Sequence, residues 1–255
     1  MLRHSSQIDG YAIGASDGPI GSISDFLFDD LSWRIRWLVV DTGNFLTGKK
    51  VLLPPSALSY INHIGHQLAV GLTRQQIKDS PDVNTDEPVS GQWETDIYDY
   101  YGWNPYWYPG FYMGGYGYGG GPFLSQGLNT RARGRDFARH SDGDRHLRSV
   151  REVTGYHINA RDGEIGHVAD FLIEDGDWSV RYLVVDTRNW WPGKKVLISP
   201  RSIDSISLST RTVTLDVDRQ KVKDSPAYDG SQAIDRAYEY QFHGYYDGHR
   251  VVEPI

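Results

Sequence analysis

Acidic and basic side chains stand at matching places in two parts of this sequence. Asp41 is followed by the pair Lys49 and Lys50, and Asp186 is followed in the same way by Lys194 and Lys195. If each set lies at the ends of neighbouring strands, its carboxylate and ammonium groups could bind a charged small molecule or a metal ion. Turn capping and a cross-strand ion pair are the simpler explanation, and we favour that structural role.

Spacing disfavours the other kinds of chemistry that polar residues could perform. Four aspartates between positions 17 and 30 lack the alternation and the terminal glutamate of a calcium loop. His63 and His66 have no histidine counterparts in the matching part of the chain, which disfavours a metal site. The sequence also lacks the nucleophile-elbow, phosphate-loop and zinc-protease motifs. We therefore predict that the protein is not an enzyme and binds neither a metal nor a cofactor.

Length, charge and composition narrow the class of protein. The 255 residues carry 26 Lys+Arg against 33 Asp+Glu, a net charge of −7, and include no cysteine. A negative balance disfavours a dedicated nucleic-acid binder, because such a protein needs a concentrated basic face. No apolar run reaches the ~20 residues that cross a bilayer, and we expect no signal peptide. We predict a cytoplasmic protein that could still associate peripherally with a membrane.

The sequence repeats itself with an offset of 145 residues. Positions 10–81 and 155–226 align without a gap, and 33 of these 72 pairs are identical. An ungapped match of this length indicates a duplication. Residues kept in both copies serve what each unit needs, which is usually folding. Residues present in one copy alone are free to specialise.

Each copy is predicted to fold into short antiparallel strands. Asp-Gly pairs at 17–18 and 162–163 are typical of two-residue hairpin turns. The strand that follows changes its phase near Asp25, which predicts a bulge. Five or six strands in ~75 residues, with no helix long enough for a crossover, predict a small all-β barrel. A short helix with an aromatic face is expected after each unit, with Ile97 and Tyr100 on that face in the first copy and Phe242 in the second.

Two shared motifs resemble those of a known family. The stretches 33–42 and 178–187, followed by 48–52 and 193–197, are similar to the PRC-barrel domain. The resemblance implies two tandem small antiparallel β-barrels with short peripheral helices. This fold occurs in the cytoplasmic part of the photosynthetic reaction-centre H subunit and in the ribosome maturation factor. It implies an adaptor or assembly role and no shared catalytic apparatus; the single transmembrane helix of an H subunit is not expected here.

The segment between the two copies is rich in aromatic residues and glycine. Twelve of the 26 residues from 98 to 123 are aromatic, and seven of the twelve from 110 to 121 are glycine. Such a run has too much backbone freedom to form a core of its own. A disordered linker is the simpler explanation, and a segment whose rings bind a partner is the alternative. The candidate interaction residues are Trp103, Tyr106, Trp107, Tyr108, Phe111, Tyr112, Tyr116 and Tyr118.

We expect a first repeat with its trailing helix at 5–103, a Gly/aromatic-rich and then Arg-rich linker at 104–149, and a second repeat at 150–248. The repeats are expected to pack about a pseudo-twofold axis, as a homodimer would.

The predicted function is a non-enzymatic adaptor that binds a protein partner. Two alternatives stay open. One is a barrel that responds to a small ligand or metal through Asp41, Asp186 and the paired lysines; the other is a peripheral component of a photosynthetic or bioenergetic membrane complex.

Overall fold

Both repeats adopt the same succession of short strands and helices. The computed structural model describes residues 1–43, 49–80, 97–101, 146–187, 194–230, 234 and 242. The first half contains β1 (Leu2–His4), α1 (Ser5–Ile8), β2 (Ala12–Ala15), β3 (Gly18–Asp29), β4 (Arg34–Asp41), β5 (Lys50–Leu53), a 3₁₀ turn (Pro55–Ala57), β6 (Leu58–Asn62), β7 (Gln67–Val70) and α2 (Arg74–Lys78). The second half contains β8 (Leu147–Ser149), α3 (Val150–Val153), β9 (His157–Ala160), β10 (Gly163–Glu174), β11 (Ser179–Asp186), β12 (Lys195–Ile198), a 3₁₀ turn (Pro200–Ser202), β13 (Ile203–Ser207), β14 (Thr212–Leu215) and α4 (Arg219–Asp224).

Local sequence explains the hairpins and the bend of the long strands. The Asp-Gly turns join β2 to β3 and β9 to β10, and the glycine of each turn has a positive φ angle. The predicted bulge is present, because the pairing of β3 with β4 shifts between Ile23 and Asp25. β10 has the matching shift before Asp170. A bulge bends and twists its strand, so β3 and β10 each curl around a core.

The aspartates of the Asp-Gly turns also cap the helices that close each half. Thr73 forms a capping box with Gln76 at the start of α2, as its position predicts. Asp218, the equivalent residue before α4, makes no side-chain cap. Instead Asp162 Oδ1 accepts a hydrogen bond from Arg219 N at 2.7 Å, and the equivalent bond is present in the first half. The hairpin turn therefore positions the helix at the far end of its repeat.

The described strands form one mixed sheet of 14 strands. The main path runs β13-β14-β9-β10-β11-β4-β3-β2-β7-β6, and β1, β5, β8 and β12 each pair beside one of the long strands. Among the described strands, only β2 with β7 and β9 with β14 pair in parallel. The all-β class with short peripheral helices is confirmed. The two halves are not separately closed barrels, however, because β4 and β11 continue the sheet from one half into the other.

Each half pairs with a short strand that comes just before the other half in the sequence. β1 leads into the first repeat but pairs with β10 of the second, with Leu2 opposite Glu174. β8 leads into the second repeat but pairs with β3 of the first, with Leu147 opposite Asp29. The two registers are equivalent under the 145-residue offset. β8 lies just ahead of residue 150, where the sequence placed the start of the second repeat.

Trp33 and Trp178 lie at the junction between the two halves. Val180 N donates to Trp33 O at 2.7 Å, and a matching bond reaches Trp178 O from the other half. Both tryptophans have φ angles near +55°, which is rare for a large side chain and persists only where the surroundings impose it. Phe28 stacks on Trp33 and also contacts Phe171 of the second half, with ring centroids 5.3 and 5.5 Å apart. One apolar core therefore runs through both halves.

A second apolar layer covers the outer face of each half. Trp37 lies in the first of these layers together with Ile97 and Tyr98, and Phe242 lies in the second. Ile97 and Phe242 are equivalent under the offset, and both are almost fully buried. The face of the helix that packs on the sheet differs from the predicted one by a rotation about the helix axis. Tyr98 packs with its ring centroid 5.4 Å from that of Trp37, whereas Tyr100 is 42% exposed. Residues 97–101 are helical, and this helix covers the outside of the sheet.

Candidate functional site

The eight aromatic residues predicted to bind a partner lie outside the described residues, within 102–145. The residues that flank this segment are placed, and both contact the first half. Tyr101 packs against the apolar clusters of that half, and burial raises the pKa of its phenol to about 12. His146 Nδ1 lies 2.8 Å from Asp30 Oδ1, and its carbonyl accepts a hydrogen bond from Asp30 N. The aromatic segment is therefore attached to the first half at both of its ends.

The charged residues that the two copies share at matching places form two separate sets. Asp41 and Lys50 are register partners on β4 and β5, and Asp186 and Lys195 are register partners on β11 and β12. β4 and β11 pair antiparallel only where the two strands begin. Their far ends point away from each other, so the two sets lie at opposite ends of the molecule. A single ligand cannot contact both.

Lys49 and Lys194 bind the carbonyl ends of the short helices. Lys194 Nζ donates to the carbonyl oxygens of Lys223 and Ser225, each at 2.6 Å. Lys49 Nζ donates to the carbonyl of Ser80 at 3.2 Å. A cation is favoured at a helix C-terminus, where carbonyls lack partners within the helix. Burial lowers the pKa of Lys194. Sequence reasoning missed this link between the Gly-Lys-Lys and Lys-Asp-Ser-Pro motifs that both copies share.

The side chain of Asp41 caps a turn, and the backbone carbonyls of Asp41 and Asp186 lie against glycines of the neighbouring strands. Asp41 Oδ1 accepts a hydrogen bond from Gly43 N at 2.8 Å, so it caps the turn after β4. A Cβ atom at Gly21 would overlap the carbonyl oxygen of Asp41, and one at Gly166 would overlap that of Asp186. The described residues show no ion pair between Asp41 and its register partner on β5.

Replacing Lys194 with methionine is expected to destabilise the protein by about 1–2 kcal/mol, because two carbonyl oxygens at the end of α4 would lose their donor. Chemical unfolding at neutral pH measures this change. Lys195, which is exposed, provides the matched control. Lys195→Met should leave the free energy of unfolding unchanged within ~0.5 kcal/mol. Equal effects of the two substitutions would contradict the assigned role.

A site that the sequence did not predict lies where the halves exchange strands. Asp25 and Asp170 are equivalent residues at the bulges of β3 and β10, and each binds the segment that precedes the opposite half. Asp170 accepts hydrogen bonds from the hydroxyls of Ser5 and Ser6, each at 2.6 Å, and lies 2.9 Å from Nδ1 of His4. The carboxylate therefore holds β1 and α1 against the second half.

Asp25 repeats this role with fewer donors. It accepts hydrogen bonds from Ser149 Oγ at 2.5 Å and from Arg151 N at 3.0 Å, and so holds β8 and α3 against the first half. One signal in the sequence could have revealed the junction. Leu2-Arg3 recurs as Leu147-Arg148 at the same 145-residue offset, outside the aligned stretch, and both aspartates are kept.

The two equivalent carboxyl groups have opposite pKa shifts. Burial raises the pKa of Asp25, and its hydrogen bonds offset this only in part. Burial also acts to raise the pKa of Asp170, but the bonds from His4, Ser5 and Ser6 outweigh it and lower the pKa to about 2. The difference follows the number of donors to the ionised form.

A cleft of about 190 Å³ opens beside these carboxylates, between α1 and α3. The hydroxyls of Ser5 and Ser6 in its wall already donate to Asp170. The hydroxyls of Ser24 and Thr154 donate to backbone carbonyls. An ion pair between Arg151 and Asp9 also belongs to its lining. Because these hydroxyls are engaged within the protein, the arrangement is that of a structural junction.

The two histidines considered as metal ligands both contact Tyr11 but differ in their other contacts. His63 Nε2 lies 2.9 Å from Asp175 Oδ2 of the second half. His66 stacks on Tyr11, with ring centroids 5.0 Å apart. Within the part of the chain that the structure describes, no group of three or more His, Cys, Asp or Glu side chains could hold a metal ion. His63 instead adds a contact between the halves.

Comparison with known families agrees with this architecture. The profile of the PRC-barrel domain matches residues 5–69 and 148–222. The chain therefore belongs to the PRC-barrel family and carries two such domains in tandem. A search of curated proteins found no match to the chain. None of the helices in the described ranges is long and apolar enough to cross a membrane.

Proposed function

We propose that this tandem PRC-barrel protein is a non-enzymatic adaptor of the cytoplasm. In this proposal the joined halves form a pseudo-twofold platform, and the aromatic segment between them binds a partner protein. The observation that carries it is the attachment of that segment to the first half at both ends, through Tyr101 and His146. Tethering both ends reduces the conformational entropy that a segment loses when it binds.

The platform suits this role because its halves are joined by more than one kind of contact. The exchanged strands, the shared core and the two aspartates at the bulges all connect one half to the other. A partner held by the segment would therefore be positioned against a single body. Aromatic rings are suited to such binding, since they bury a large area and lose little rotamer freedom.

Replacing the eight aromatic residues from Trp103 to Tyr118 with serine should abolish partner capture and leave the fold intact. Far-UV circular dichroism and a Tm within ~2 °C of the wild type would show an intact platform. Crosslinking in cells followed by mass spectrometry, on soluble and membrane fractions, measures the partners. A loss of fold would contradict the proposal by making the segment structural, and unchanged partners would contradict it directly.

Two control variants sharpen this test. Serine at Arg131, Arg133, Arg135 and Arg139 changes the charged part of the same segment and should retain the partner. Asn at both Asp41 and Asp186 tests the rival role as a ligand-responsive barrel and should also retain it. Partners found only in the membrane fraction, and lost with the aromatic residues, would place the adaptor at a membrane surface.

A further inference from the structure

The main path of the sheet ends in two equivalent edge strands, β6 and β13. Among the described strands, β6 pairs only with β7, and β13 pairs only with β14. Each edge strand therefore has a second side on which no described strand pairs with its N–H and C=O groups. Such an edge can pair with a strand from another chain unless charge, shape or a covering element prevents it.

The two edge strands differ in the residues that would prevent this pairing. β13 carries Asp204, a charge of the kind that protects edge strands, whereas β6 has Ser59 at the equivalent position and no charged residue. Tyr60 on β6 is 61% exposed, and its equivalent on β13 is Ser205. The edge of the first half is thus uncharged and partly aromatic, while that of the second half is charged and polar.

The turns after the two edge strands both expose an apolar side chain, but the turn after β6 does so more fully, since Leu208 after β13 is only 41% exposed. Ile64, after β6, is 99% exposed, and its equivalent after β13 is Ser209. Both halves adopt the same fold, so neither Tyr60 nor Ile64 is required for folding. Exposed apolar residues at an unprotected edge are typical of a surface that binds another protein.

We infer that β6 is the edge through which two copies of this chain pair, antiparallel, into a dimer. Two identical strands paired antiparallel are related by a twofold axis, so the interface is closed and stops at two copies. An uncharged strand is compatible with its own copy, because the pairing brings no like charges together. The same pairing through β13 would bring two copies of Asp204 into one short strand pair. A dimer through β6 does not require a partner bound to the aromatic segment.

Sedimentation of the full chain over a concentration series tests the inference. The wild type should form a dimer in a concentration-dependent way. Ser59→Asp, which copies the charge of β13, should weaken dimerisation by about 10-fold or more. The double variant Tyr60→Ser with Ile64→Ser should weaken it similarly. These variants should fold normally, because β13 and its turn already carry Asp and Ser at these positions; circular dichroism and the Tm confirm this.

Control variants separate β6 from the other surfaces. Leu208→Ser, which removes the exposed apolar residue after β13, should dimerise like the wild type. The variant with eight serines in the aromatic segment should also dimerise, so failure of the proposed function leaves this result unaffected. The double variant Asp204→Ser with Ser205→Tyr should allow β13 to pair with another copy as well, and so give assemblies larger than a dimer. A wild type that stays monomeric, or a dimer that Ser59→Asp does not weaken, would overturn the inference; a monomeric wild type would leave β6 free for a strand of a different protein.

Discussion

Alanine at Gly21 or at Gly166 is expected to destabilise the protein by about 3 kcal/mol or more in each case. An added Cβ would overlap the carbonyl oxygen of Asp41 or Asp186, and backbone atoms of a paired strand cannot move aside as a flexible side chain can. Gly166 also has a φ of +144°, which L-residues rarely adopt, so strain adds to the overlap there. Urea unfolding followed by tryptophan fluorescence measures the loss.

Gly14 offers a control in a neighbouring strand. A Cβ there would meet nothing within 4 Å, and its φ does not require glycine. Gly14→Ala should therefore be neutral or stabilise the protein by about 0.5–1 kcal/mol, because alanine has less conformational freedom in the unfolded chain. Similar losses at Gly14 and Gly21 would show that close strand contact is not the reason why both copies have glycine at the position of Gly21.

Asn at Asp170 is expected to reduce the free energy of unfolding by about 2 kcal/mol at pH 7, and to have little effect near pH 2. The folded-state pKa is about 2, below the ordinary aspartate value of 3.8. The folded state therefore binds this proton more weakly than the unfolded state does. The contribution is fully present above about pH 4 and is lost as the pH falls through the folded-state pKa. Unfolding by urea across this range measures the difference between variant and wild type.

Asp25→Asn is the matched control, because Asp25 is equivalent in position to Asp170 and its pKa is shifted in the opposite direction. Its pKa is raised, so the folded state binds this proton more tightly, and ionisation at neutral pH opposes folding. The amide keeps an oxygen for the backbone donors and has no charge to bury. We expect a smaller loss than at Asp170, or a gain, at pH 7. Equal losses at both sites would contradict the difference between the two environments.

The secondary structure within one repeat could largely be predicted from sequence. Asp-Gly turns need a positive φ, and a change of hydrophobic phase indicates a bulge, so β2 and β3 with the bulge at Asp25 followed from neighbouring residues alone. The edge strands β6 and β13 were not predicted, because their alternation is weak. β1 and β8 were not predicted either, since three residues hold too little pattern to recognise.

The roles of the charged residues could be predicted only in part. Asp41 caps a turn, which its place at the end of a strand suggested. The partners of Lys49 and Lys194 lie about 30 residues further along the chain, and no local pattern identifies them. The roles of Asp25 and Asp170 in joining the halves were also missed, because each binds a segment more than 120 residues away.

The sequence by itself determined that this protein consists of two copies of a small β-unit of the PRC-barrel family. Turn residues and the alternation of apolar and polar side chains are properties of neighbouring residues. The 33 identities at one offset of 145 residues show the duplication directly. Only the tertiary structure decided that the units share one sheet and exchange their first strands. Two equivalent units offer β1 and β8 equivalent sites on either half, so sequence pattern cannot distinguish pairing within a unit from pairing across. Asp25 and Asp170 accept hydrogen bonds from the segments that precede the opposite halves, and these bonds hold the exchanged strands in place.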